Sequence, residues 1–147
     1  MEFDDNNVPE EHDDNYVEIY SKRAIFWFSV FSPLFGGILL MLNLKAAGYK
    51  KAIYTILVFL ILFALASNVL VNQFTLHYKV DFKVFNQNLV ILFVISSVLN
   101  VGCALILSQY FFRKYFPDND YYPKNIQTPL LIFISVMIFF MLVGYGL

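Results

Sequence analysis

Four stretches of this chain contain no Asp, Glu, Lys, Arg or His: Ala24–Asn43, Ala52–Val71, Leu89–Leu107 and Pro129–Leu147. A helix of about 20 apolar residues, rising about 1.5 Å per residue, crosses a hydrocarbon layer of roughly 30 Å. A helix that is apolar on every side belongs in the core of a large protein or in lipid. This chain has 147 residues, 59% of them hydrophobic and 14% charged, where soluble domains hold roughly 45–50% and 25%. That leaves too little polar sequence to wrap four such helices, and the mean hydropathy of +0.63 agrees. The expected fold is an all-α membrane protein, with four transmembrane helices in an antiparallel bundle and the lipid bilayer as solvent.

The charge is unevenly spread. Glu2, Asp4, Asp5, Glu10, Glu11, Asp13, Asp14 and Glu18 are eight of the eleven acids. An acidic segment with few apolar residues cannot bury enough surface to order itself. Residues 1–18 are therefore expected to be a disordered tail, and 19–147 a four-span membrane domain. The tail lacks the basic start and cleavage site of a signal peptide, so the first span is expected to be retained. The net charge of −1 provides no basic footprint for nucleic acid.

The punctuation between the spans is readable. Ser21 is placed to cap the first helix, Gly48 to end it, and Thr128–Pro129 to begin the last. Apolar residues at 76, 78, 80, 82 and 84 alternate with polar ones, which predicts an extended second connection. Asp118 and Asp120 sit in turn chemistry; the glycine and distal glutamate of a calcium loop are missing. Aromatic residues gather where the spans meet the interfaces. Lys and Arg near the spans number six on connections one and three (Lys45, Lys50, Lys51, Arg113, Lys114, Lys124) against four on the tail and connection two (Lys22, Arg23, Lys79, Lys83). This bias favours connections one and three in the cytoplasm and both termini outside.

Pro33, Gly36 and Gly37 weaken a helix from within the first span. In lipid, helices associate by close packing and hydrogen bonds, and small residues permit the approach. Pro33 removes the amide that would bond the Ser29 carbonyl and so predicts a kink in the first helix. Span three offers a complement: Ser96, Asn100, Ala104 and Ser108 recur every four residues, with Gly102 beside them. The expectation is that the Ser32–Gly37 notch packs on the Ser96–Asn100–Ala104 stripe, with Asn100 donating to a carbonyl near the kink.

The stretch YSKRAIFWFSVFSPLFGGILLMLNLKAAGYKKA, residues 20–52, resembles small bacterial inner-membrane proteins with a Pro-x-x-Gly-Gly kink in the first span. Those proteins usually have Gly before the proline, where this chain has Ser32. The resemblance covers under a quarter of the chain. It implies a multi-pass protein of a bacterial inner membrane and brings no biochemical activity with it.

Function is bounded mostly by exclusion. There is no His/acid metal set, no Cys/His pair (the one cysteine, Cys103, lies in an apolar segment), no Gly-x-Ser-x-Gly and no phosphate loop. Neither an enzyme nor a cofactor is expected. No acid lies within a span, which argues against a proton-driven carrier. The expected function is a non-catalytic scaffold, assembly or regulatory component, as a homo-oligomer or with a membrane-protein partner. A small oligomeric transporter or channel, passive in character, is the alternative.

Overall fold

The computed structural model describes residues 17–80, 87–117 and 121–145. The order of elements is β1 (Glu18–Ile19), α1 (Lys22–Phe31), α2 (Pro33–Ala46), α3 (Lys50–Tyr78), α4 (Gln87–Leu105), a π-helical turn (Ile106–Phe111), α5 (Phe112–Tyr115), β2 (Tyr122–Pro123) and α6 (Gln127–Tyr145). The segments from α4 to α5 run on as one 29-residue rod, Gln87–Tyr115, which matches α3 in length. These two rods are long and apolar enough to cross a membrane; α2 and the described part of α6 are apolar but shorter.

The first apolar stretch is not one kinked helix. It is two helices folded back on each other. Ser32 is extended, with φ −149° and ψ 105°, and closes α1 by donating its amide to the Phe28 carbonyl at 2.8 Å. Its hydroxyl then accepts from the Phe35 amide at 3.4 Å and so caps α2. Pro33 becomes the first residue of α2, the one helical position where a missing N–H costs nothing. Length and hydropathy do not distinguish one span of 20 residues from two half-length helices in antiparallel contact. The expected kink is therefore a chain reversal.

This reversal rearranges the ends. Tyr20, before α1, meets Asn43 near the end of α2. Tyr49, before α3, stacks on Tyr115 at 5.5 Å between ring centres. β1 pairs in parallel with β2, Glu18 with Tyr122 and Ile19 with Pro123. Residues 17–20 and connections one and three thus share one end of the molecule. Helix α6 runs alongside α1 from that end, with Leu130 near Arg23 and Phe133 against Phe28 and Phe31. Its far end lies at the opposite end of the molecule from Val17.

Other expectations shift less. Glu18 was assigned to the disordered tail but lies in β1, and Ile19 is fully buried; residues 1–16 lie outside the described residues. The extended second connection is helical through Tyr78, and its residues 81–86 lie outside the description, as do Asp118 and Asp120 of the turn. Ser21 caps α1 as expected, accepting from the Ala24 amide at 3.2 Å. Gly48 follows α2 with φ +79°, a conformation that suits glycine at a helix end. Helix α6 starts two residues ahead of Pro129, because Asn125 accepts the Gln127 amide at 2.9 Å.

The core lies between the hairpin and the near halves of the long rods. α1 packs on α2 and on the α4 rod, while α2 packs on α3. Ala52, Ile56 and Leu60 are the buried residues of α3, one per turn. Leu39, Leu40, Leu44, Leu107 and Phe112 complete the cluster.

Candidate functional site

The site is built around the chain reversal at Ser32–Pro33. Two glycines follow it, and each admits a different neighbour. A Cβ on Gly36 would lie 2.7 Å from the Ser29 amide nitrogen and collide with the Ser29 hydroxyl. Glycine here lets α2 touch the backbone of α1. A Cβ on Gly37 would collide with the methyl groups of Leu60. Glycine there lets α3 close against the opposite side of α2. The notch is real, and its partners are α1 and α3.

Ser29 is fully buried, and its hydroxyl donates to the Ile25 carbonyl at 2.6 Å, so it brings no unmet polar group to the contact. At the open end of the hairpin, the Asn43 amide grips the Tyr20 backbone. Its Oδ1 accepts the Tyr20 N–H at 2.8 Å, and its Nδ2 donates to the Tyr20 carbonyl at 2.7 Å. Asn43 is 1% exposed. A side-chain amide matches a peptide unit in both donor and acceptor, so one residue satisfies both groups.

The expected stripe on the α4 rod does not reach the notch. Ser96 and Asn100 face α3 across a small cleft of about 160 Å³, shared with Ser67, Asn68, Val71 and Leu99. The hydroxyl of Ser96 donates to the Leu92 carbonyl, and the amide of Asn68 to the Ala64 carbonyl. Asn100 makes no hydrogen bond to the hairpin. Ser96 and Asn100 lie off the notch because the hairpin meets this rod mainly through α1 and less through α2. Ala104 is fully buried. A Cβ on Gly102 would meet nothing within 4 Å, so this glycine admits no close neighbour.

Depth relates the cleft to the hairpin. Lys22, at the start of α1, donates to the Gln109 side chain at 2.6 Å within the π-helical turn. Nine residues on from Lys22 is Phe31; nine residues back from Gln109 is Asn100. The tip of the hairpin therefore lies near the level of Asn100, at the near end of the cleft, and the rest of the cleft lies beyond it. The tip itself is partly open: Phe31 and Leu34 are 66% and 62% exposed. Phe133 of α6 covers one side, stacking on Phe35 at 5.1 Å and on Phe31 at 6.3 Å.

Sequence reasoning located Ser32, Pro33, Gly36 and Gly37, which the fold brings together, but missed Ser29, Leu60 and the Tyr20–Asn43 clasp. A signal was present. Ser29 with Gly36, and Tyr20 with Asn43, lie nearly symmetrically about Ser32–Pro33, as contacts across a hairpin must. Among the described residues, no three His, Cys, Asp or Glu side chains converge in a way that could hold a metal ion. Comparison with protein families, curated proteins and solved structures finds no match.

Proposed function

We propose that this chain is a multi-pass membrane protein in which α3, the α4–α5 rod and α6 cross the bilayer and α1–α2 forms a re-entrant hairpin, and that it serves as a non-catalytic scaffold or assembly component. The lengths are consistent with this. At about 1.5 Å per residue, each 29-residue rod is about 43 Å long, while the 10 residues of α1 reach about 15 Å, half a hydrocarbon core.

Orientation follows from where the hairpin brings the basic residues. Lys22 and Arg23 join Lys45, Lys50, Lys51, Arg113, Lys114 and Lys124 at one end, leaving Lys79 and Lys83 to connection two. The count of six against four becomes eight against two, which favours the eight-residue end in the cytoplasm. In this reading Val17 is cytoplasmic and the end of α6 is on the other side. The resemblance of residues 20–52 suggests a bacterial inner membrane.

One observation carries the assembly reading. The backbone leaves helical geometry at Ser32, near mid-membrane depth in this placement, between exposed Phe31 and Leu34. Non-helical backbone at that depth persists only where protein covers it or where it lines water. Large apolar side chains on both flanks favour a protein cover, supplied by a partner or a second copy. A photo-crosslinker at Leu34, in native membranes, is expected to give a discrete protein adduct. Adducts to lipid alone would remove this reading.

A second reading rests on the cleft. Ser67, Asn68, Ser96 and Asn100 line it just beyond the hairpin tip, and polar side chains grouped between helices can line a passive path. Ion or solute flux into liposomes that Asn100→Leu abolishes would favour a channel over a scaffold.

A further inference from the structure

A groove of about 530 Å³ separates α1 from α6. That volume is typical of sites for small ligands. Its walls are Arg23, Trp27 and Phe31, at helical i, i+4 spacing on α1, and Leu130 and Ile134 on α6 with Ile126 just ahead of that helix. The groove is therefore polarised along its length. Ser21 and Arg23 line the end that holds the eight basic residues; deeper in, the lining is aromatic and aliphatic, with Phe28 and Phe133 at its floor.

The polar end is available for a ligand. Arg23 is exposed and makes no hydrogen bond or ion pair among the described residues. The Ser21 hydroxyl oxygen accepts from the Ala24 amide through one of its two lone pairs, and its O–H can still donate. A planar guanidinium beside a hydroxyl suits the oxygens of a phosphate group. A free phosphate would leave the apolar length of the groove unfilled. An acyl chain fits there.

From this charge complementarity and amphipathic order we infer that the α1–α6 groove is a binding site for a single anionic phospholipid, with its phosphate on Arg23 and Ser21 and one acyl chain between Trp27 and Leu130. The inference rests on the membrane placement proposed above, because Arg23 must lie at headgroup depth. The lipid acts as a wedge. Among the described residues Pro129 is the buried residue of α6 and Phe133 the half-buried one, against Phe28 and Phe35, and a chain in the groove extends that contact.

The test uses the full-length protein in mild detergent. Native mass spectrometry reads retained lipid after addition of phosphatidylglycerol or phosphatidylcholine with identical acyl chains, with inorganic phosphate as a control. The expected result is one phosphatidylglycerol retained at least tenfold over phosphatidylcholine. Arg23→Gln should remove that preference and Lys45→Gln should keep it, while Leu130→Trp, which fills the groove, should reduce retention of both lipids. Equal retention of the two lipids, an undiminished preference in Arg23→Gln, or the same loss in Lys45→Gln as in Arg23→Gln would overturn the site, as would phosphate displacing the bound lipid. A protein adduct at Leu34 without lipid preference would sink this site alone; lipid preference without an adduct would sink the assembly reading alone.

Discussion

The two halves of α3 have similar apolar sequence and opposite surroundings. From Lys50 to Leu60, one face is buried against the hairpin at Ala52, Ile56 and Leu60. From Ile61 to Tyr78 no residue is buried, and Leu62, Leu65, Val69 and Leu70 are each more than half exposed. The boundary falls where the hairpin ends. Apolar content therefore does not determine which half forms the core. What determines it is a neighbour without side chains: Gly37 receives Leu60, and beyond Pro33 nothing comparable approaches α3. In lipid this is the expected result, since the solvent is as apolar as leucine and only close contact distinguishes one surface from another.

Gly36→Leu should break the contrast most severely. Its Cβ meets backbone, which cannot move aside as a flexible side chain would, so the cost should exceed the ~1–3 kcal/mol typical of overpacking. Size-exclusion chromatography in detergent should show loss of nearly all monodisperse protein. A sharp wild-type peak would mean that α1 and α2 are not in contact.

A matched pair of truncations compares the halves directly. Leu60→Ala should destabilise by about 2–5 kcal/mol, as buried leucines do, and Leu65→Ala by less than about 0.5 kcal/mol. Leu60 is 5% exposed and Leu65 60%. Thermal unfolding of the two variants in one detergent gives the ranking. Equal shifts would indicate that a partner or a second copy buries the far half, which would sharpen the assembly reading.

The smallest effect is expected at Gly102. With nothing within 4 Å of its missing side chain, Gly102→Ala should be neutral or stabilise the helix by up to about 1 kcal/mol. A clear loss of stability would show that a surface absent from the isolated chain approaches this glycine.

Much of the fold was legible in the residues. Uninterrupted apolar runs gave both long rods, Ser21 gave a helix start and Gly48 a helix end, each through a local mechanism. The site was only half legible. Pro33, Gly36 and Gly37 marked a place where helices meet, but the length rule counts residues and is blind to direction, so a reversal looked like a kink. That reading propagated: it grouped Lys22 and Arg23 with connection two, away from the end they share with connections one and three, and it aimed the notch at Asn100. The Asn43 clasp has no local signal in the residues, because its partner, the Tyr20 backbone, lies 23 positions away. A clasp of that kind emerges only once the reversal is known.

The Tyr20–Asn43 clasp also sets a timetable. Both of its partners exist as soon as α2 has been synthesised, so the hairpin can close while α3 is still inside the ribosome. The β1–β2 pairing must wait for Tyr122, 104 residues after Glu18. Residues 17–20 are thus anchored early from one side and sealed late from the other, so the last connection to form lies over the first.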